Sequence, residues 1–282
     1  MEIDVGGHGR GLHRRRRSRS GRFLALALVG AVLAAGGYAA RSPDLLGGTE
    51  VPAVPAAAAS APAPDARRSP TVAPVPAAGR VAPAIAYPAR GAGTFRTAGT
   101  VGAVAGRSGE LLRYRVAVED GIRNLDVERF ARDVAATLAD RRGWTGDGRW
   151  RLQRVGRDDA ADFTVLLTTP VTRGRLCDDP SDRYTSCRNG DQVVINVARW
   201  VYGVPHVTDL DLYRHYLLNH EVGHRLGRGH ERCPRGGGPA PVMVQQTLGL
   251  HGCTPNAWPL VGGEPLVGPP GQYDDPIPAG DH

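Results

Sequence analysis

The sequence predicts an α/β domain over residues 91–262 of a 282-residue chain, and three observations carry that prediction. Short runs rich in β-branched and aromatic residues alternate with segments whose apolar residues recur at three- and four-residue spacing, the pattern of strands interleaved with helices. Everything before about residue 90 lacks either period. The candidate domain is also large enough to bury one core of its own.

The first ninety residues read as a means of export. The chain has no lysine, so its 35 basic residues are all arginine, and its formal net charge is +7. Residues 1–22 hold seven of those arginines against Glu2 and Asp4, so the remaining 260 residues are nearly neutral. A nucleic-acid role needs a basic face on the folded part, and the composition argues against one. The basic leader, residues 1–22, precedes eighteen uncharged residues, Phe23 to Ala40. Positive charge stays on the cytoplasmic side, so this segment is expected to enter the membrane and leave all that follows outside. The long leader favours an uncleaved single span; the alternative is a signal peptide cut near Ala39, which would secrete the domain. Residues 41–90 are Pro, Ala and Val with few charges, a composition that buries too little to order and favours an extended tether.

The folded elements follow in order. Leu112 to Val118 alternates like a strand, and Asp120-Gly121 behind it reads as a turn. Val127, Phe130, Ala131, Val134, Ala135 and Leu138 form one helical face, ended by Gly143. Trp150 to Val155 and Asp162 to Thr169 are expected strands, Pro170 to Gly190 a loop, and Gln192 to Ala198 another strand. Thr208 is the expected cap of a helix running from about Asp209 to Leu226, on which Tyr213, Tyr216 and Leu217 pack inwards. After Trp258 the chain returns to Gly and Pro, and residues 263–282 are expected to be a disordered tail. His206 and His251 lack ligand spacing and read as packing or surface residues.

That last helix carries the chemistry, in the run His220-Glu221-Val222-Gly223-His224-Arg225-Leu226-Gly227-Arg228-Gly229-His230. Residues four apart share a helical face, so His220 and His224 can aim ring nitrogens at one point. Glu221, one step round, is placed to take a proton from a water near that point and is the candidate general base. Gly227 supplies the left-handed residue that ends the helix and lets His230 swing back as a third ligand. Three neutral imidazoles leave one tetrahedral position open, which is the arrangement of a catalytic rather than a structural Zn2+. A bare HExxH occurs by chance on helix surfaces; the added glycine and third histidine make the pattern specific.

The run resembles the extended zinc signature of the metzincin peptidases, whose methionine turn lies beneath the metal; Pro241-Val242-Met243-Val244 fits that turn. The segment from about Tyr114 to Trp258 is also similar to a family of secreted actinobacterial domains of unassigned function. The resemblance implies a metzincin-like zincin: a mixed twisted sheet with a backing helix, an active-site helix, and Val193 to Val197 as the candidate strand to pair with extended substrate, an ordinary core strand being the alternative. Some metzincins add a tyrosine ligand after the turn, but none lies between Met243 and Tyr273, so three protein ligands are expected.

Four cysteines in an exported chain suggest two disulfides, and sequence proximity favours Cys177 with Cys187 and Cys233 with Cys253. The expected activity is that of an extracytoplasmic zinc metallopeptidase acting on a peptide or protein, with cell-wall peptide cross-links as an alternative substrate. A wall-associated, zinc-containing binding module without turnover is the alternative from another class.

Overall fold

Ten consecutive residues, with apolar side chains at every second position from Leu112 to Val118, build the central strand. The computed structural model describes residues 84–280. The leader at 1–22, the apolar segment at 23–40 and all but the last residues of the 41–90 tether lie outside them. Before the central strand come two short ones, β1 (Phe95–Thr97) and β2 (Val104–Ala105); the strand itself is β3 (Glu110–Glu119). Leu112, Tyr114, Val116 and Val118 all point from β3 into the core. Helix α1 (Val127–Ala139) follows, with Asp126 accepting from the Arg129 amide as its cap. Its buried face, Phe130, Ala131, Val134 and Leu138, is the stripe expected from the sequence. Strands β4 (Trp150–Arg154) and β5 (Phe163–Thr168) come next.

The expected loop at 170–190 contains helix α2 (Pro170–Leu176) and strand β6 (Cys187–Asn189). Pro170 reads as a breaker, but it occupies the first helical turn behind Thr169, where its missing N–H costs nothing. Strand β7 (Gln192–Asn196) stops two residues short of expectation, because Asn196 turns its side chain onto the Ala198 amide and caps helix α3 (Val197–Tyr202). The long helix is α4 (Leu210–Arg225). Its cap is Asp209 rather than Thr208; the carboxylate accepts from the amides of Asp211 and Leu212. A small hairpin, β8 (Leu260–Val261) with β9 (Glu264–Pro265), completes the elements.

These strands make a mixed seven-stranded sheet in the order β2-β4-β3-β5-β7-β6, with β1 on the flank of β3 that β5 leaves open. The inner four, β4, β3, β5 and β7, are parallel; β2, β1 and β6 are antiparallel additions. Strand β7 is therefore an interior strand. Of the two readings of Val193 to Val197, substrate-pairing strand or core strand, the core strand is the one found: β6 pairs along its other side, because Gly190, at φ +55°, turns the chain straight back on itself.

Both domain boundaries differ from expectation. Ala86 pairs with Arg123, and a side chain at Gly91 would collide with Glu119 at 2.5 Å, so ordered packing begins before residue 91. Glu119 is wholly buried yet saturated: it accepts from the Gly93 amide, the Thr169 amide and hydroxyl, and the Thr172 hydroxyl. One carboxylate thus ties the amino-terminal segment to β3 and α2. At the other end, residues 266–277 are no loose tail. Their proline-rich backbone finds hydrogen-bond partners along residues 230–233, in the segment that follows α4. Among the described residues no helix is long and apolar enough to cross a membrane.

Candidate metal centre

The last turn of α4 brings His220 and His224 onto one face, as the four-residue spacing requires. The helix then ends sharply. Gly227 sits at φ +82° and the Arg228 amide reaches back to the Gly223 carbonyl at 2.9 Å, the bond that closes a helix through a left-handed residue. A side chain at Gly227 would meet nothing within 4 Å, so it is the sign of φ, not a lack of space, that asks for glycine. The reversed chain returns His230 to the other two histidines.

The three Nε2 atoms converge. His224 Nε2 lies 3.2 Å from His220 Nε2 and 3.1 Å from His230 Nε2, and among the described residues this trio is the cluster with ligand spacing. Tetrahedral Zn–N bonds of about 2.0–2.1 Å would separate neighbouring nitrogens by roughly 3.3 Å, so the spacing fits such an ion closely. The other ring nitrogens fix the tautomers. Nδ1 of His220 donates to the Val242 carbonyl at 2.8 Å, that of His224 to the Arg228 carbonyl at 2.8 Å, and that of His230 to Gln272 Oε1 at 2.9 Å. Each ring, when neutral, then presents a bare lone pair at Nε2. Three lone pairs at this distance repel one another unless a cation lies between them, which is the arrangement that histidine metal sites use. Burial, then the neighbouring imidazoles, holds His220 well below the ordinary histidine range. Burial takes His224 down to about 4 and lowers His230 as well, so the rings stay in the form that ligates.

Pro241 to Val244 passes beneath. Val244 closes a turn onto the Pro241 carbonyl, and Met243 is 1% exposed. A Cβ on Gly223 would meet Met243 Sδ at 2.5 Å and Trp144 Cζ2 at 2.7 Å. The glycine between the two helical histidines is thus one place where the turn packs closely on the helix. The same turn offers its Val242 carbonyl to His220 and its Val244 carbonyl to the Tyr216 hydroxyl at 3.1 Å. Tyr213 bonds Thr247 instead of the histidines. Both tyrosines therefore serve as packing and anchoring residues.

Glu221 stands beside His220, 4% exposed, with Oε2 lacking any hydrogen-bond partner among the described residues. Burial pushes its carboxyl up to about 8, while the Arg173 guanidinium draws it down and the Asp182 carboxylate pushes it further up. Sequence reasoning missed that pair. Arg173 and Asp182 form a buried ion pair at 2.8 Å, carried by the very segment expected to be loop. Their signal is visible only as an Arg-to-Asp separation, which means nothing until α2 folds. Arg188 on β6 is a second such residue, donating to the His224 carbonyl at 2.9 Å. Glu221, the histidines, Arg173, Asp182 and Arg188 line one open cleft of about 390 Å³, to whose walls Tyr216, Leu248 and Ile277 also contribute.

The cysteines pair as their spacing suggested. Cys177–Cys187 joins the end of α2 to β6, and Cys233–Cys253 brackets the methionine-bearing segment. Two disulfides and no free cysteine among the described residues fit an oxidising, extracytoplasmic setting. His206 bonds the Gln246 carbonyl, and His251 pairs with Asp275 under the stacked ring of Tyr273, so neither joins the cluster.

No curated protein and no solved structure matches the chain. One family model does, over residues 81–259, a span that begins just before the first ordered pairing at Ala86 and ends after the buried Trp258. It covers more than half of the chain, from the amino-terminal segment through sheet, α4 and methionine turn, and by it the chain belongs to the family described as a protein of unknown function, DUF3152.

Proposed function

We propose that this protein is an extracytoplasmic, zinc-dependent peptidase of metzincin type. The observation that carries the reading is the convergence of three Nε2 atoms at 3.1–3.2 Å, each ring oriented by an acceptor on its far nitrogen, beside a buried carboxylate with an unpartnered oxygen. His220, His224 and His230 would hold the ion. A zinc ion so held supplies Lewis acidity, bringing a water's pKa down towards roughly 7 and polarising the carbonyl under attack.

The chain's own residues do the rest. In its ionised form Glu221, made more basic by burial, accepts the proton of the attacking water at its free oxygen and returns it to the leaving amine as the amide C–N bond breaks. Arg173 and Asp182 fix the charge around that carboxylate. Among the described residues no strand pairs with the outer edge of β6, which borders the cleft through Cys187 and Arg188. An extended peptide lying against it would gain backbone hydrogen bonds and pass its scissile bond over Glu221. This moves the substrate-pairing strand from Val193–Val197 to its antiparallel neighbour. Placement on a membrane anchor, with the domain outside, completes the reading from the sequence.

The test is zinc content together with cleavage of a peptide library by the full chain, made with its disulfides intact. The parent is expected to hold one zinc and to cleave. Glu221→Gln should keep the zinc and lose about 10²–10⁴-fold in turnover. Zinc retained with no cleavage by either protein would favour a binding module; cleavage undiminished in Glu221→Gln would remove the general-base role.

A further inference from the structure

The third histidine differs from the other two in where its orienting partner comes from. His220 and His224 bond to backbone carbonyls within residues 223–244, inside the family's matched span. His230 donates to a side chain, Gln272, beyond the end of that span.

The segment that carries Gln272 is held in place along its length. The Gly268 amide donates to Glu231 Oε2 at 2.9 Å. The Arg232 amide donates to the Pro269 carbonyl at 2.8 Å and the Gly271 amide to the His230 carbonyl at 3.0 Å, so the strap runs antiparallel against the residues that hold the third ligand. Past Gln272 it is clasped again. The Tyr273 hydroxyl accepts from the Cys233 amide at 3.1 Å, its ring stacks on His251 at 3.4 Å between centroids, and Asp275 pairs with His251 at 2.7 Å. The strap ends with Ile277 in the cleft wall. Cys233 and the His251 loop are themselves joined through Cys233–Cys253, so the strap is clamped to a cross-linked base.

We infer that this carboxy-terminal strap, residues 266–277, is a working part of the metal centre and that Gln272 is the positioning residue for His230. The inference rests on the zinc reading above. Rotation about the side-chain bonds of His230, which follows a left-handed turn and a glycine, is not limited by a helix as it is for His220 and His224. Its Nδ1–H bond to Gln272 fixes the ring plane and keeps Nε2 as the lone pair facing the other two. Loss of such a partner to a ligating histidine typically weakens metal binding about 10–100-fold.

The experiment measures zinc dissociation constants by chelator competition on the full chain. Gln272→Ala and Gln272→Leu, which remove the acceptor, are expected to weaken binding about 10–100-fold, whereas Gln272→Glu, which keeps an acceptor oxygen, should bind like the parent. The thermal midpoints of the metal-free proteins should stay together, since the bond orients a ring and does not hold the domain. Parent-like affinity in Gln272→Ala and Gln272→Leu, or an equal loss in all three variants, overturns the inference while leaving the zinc site standing. A parent that binds no zinc overturns both.

Discussion

Gly223 faces the methionine turn from α4 without a side chain of its own. Its missing side chain leaves room for Met243 Sδ and Trp144, and Trp144 is itself fixed by donating to the Asn219 carbonyl at 2.8 Å. Overfilling such a contact costs about 1–3 kcal/mol, against about 1 kcal/mol recovered from alanine's better helix propensity. Gly223→Ala is therefore expected to lose on the order of 1 kcal/mol, seen as a lower urea midpoint at an unchanged slope. A raised midpoint would mean that the methionine moves aside freely, and that the turn does not press on the helix. Gly227, four residues on, stands in a different situation: space surrounds it, and its backbone sign alone demands glycine.

At the scale of elements, the cleft wall depends on α2 and β6, two short pieces with little area to bury. A seven-residue helix and a three-residue strand are marginal by themselves. Their support comes from Cys177–Cys187 and from Arg173, which donates to the Asp182 carbonyl and to Thr185 at 2.7 Å each. A cross-link over this sequence separation of 10 should contribute about 2–3 kcal/mol. Replacing both cysteines by serine is expected to lower the unfolding free energy by that amount and to raise hydrogen exchange first at β6. Unchanged exchange at β6 would show that the ion pair holds the edge without the disulfide.

For the whole molecule, the described residues pack in order on both sides of 91–262, from the Ala86–Arg123 pairing to the strap. Residues 84–280 are expected to fold and take up zinc. A fragment limited to 91–262 loses the Ala86–Arg123 pairing and the entire strap, and should bind zinc at least about tenfold more weakly. Equal affinity in the two fragments would show that both extensions are ornaments to a complete domain.

The sequence by itself marked the three histidines that the structure brings together, Glu221 beside them, the helix that carries them and its glycine stop; it favoured both disulfide pairings without excluding the other connectivities, and it singled out Met243 only through the metzincin resemblance. These are local relations: a four-residue period, a left-handed residue, a short separation between cysteines, each legible wherever the chain goes. The central strands and α1 were legible for the same reason, since one buried face imposes its period on the residues. Only the tertiary structure decided that β6 rather than β7 forms the edge, that Arg173 and Asp182 meet beside Glu221, and that a proline-rich carboxy terminus supplies Gln272 to His230. Such contacts join residues whose own neighbours carry no period, and a polar or proline-rich segment becomes ordered only when a surface already folded offers its backbone partners.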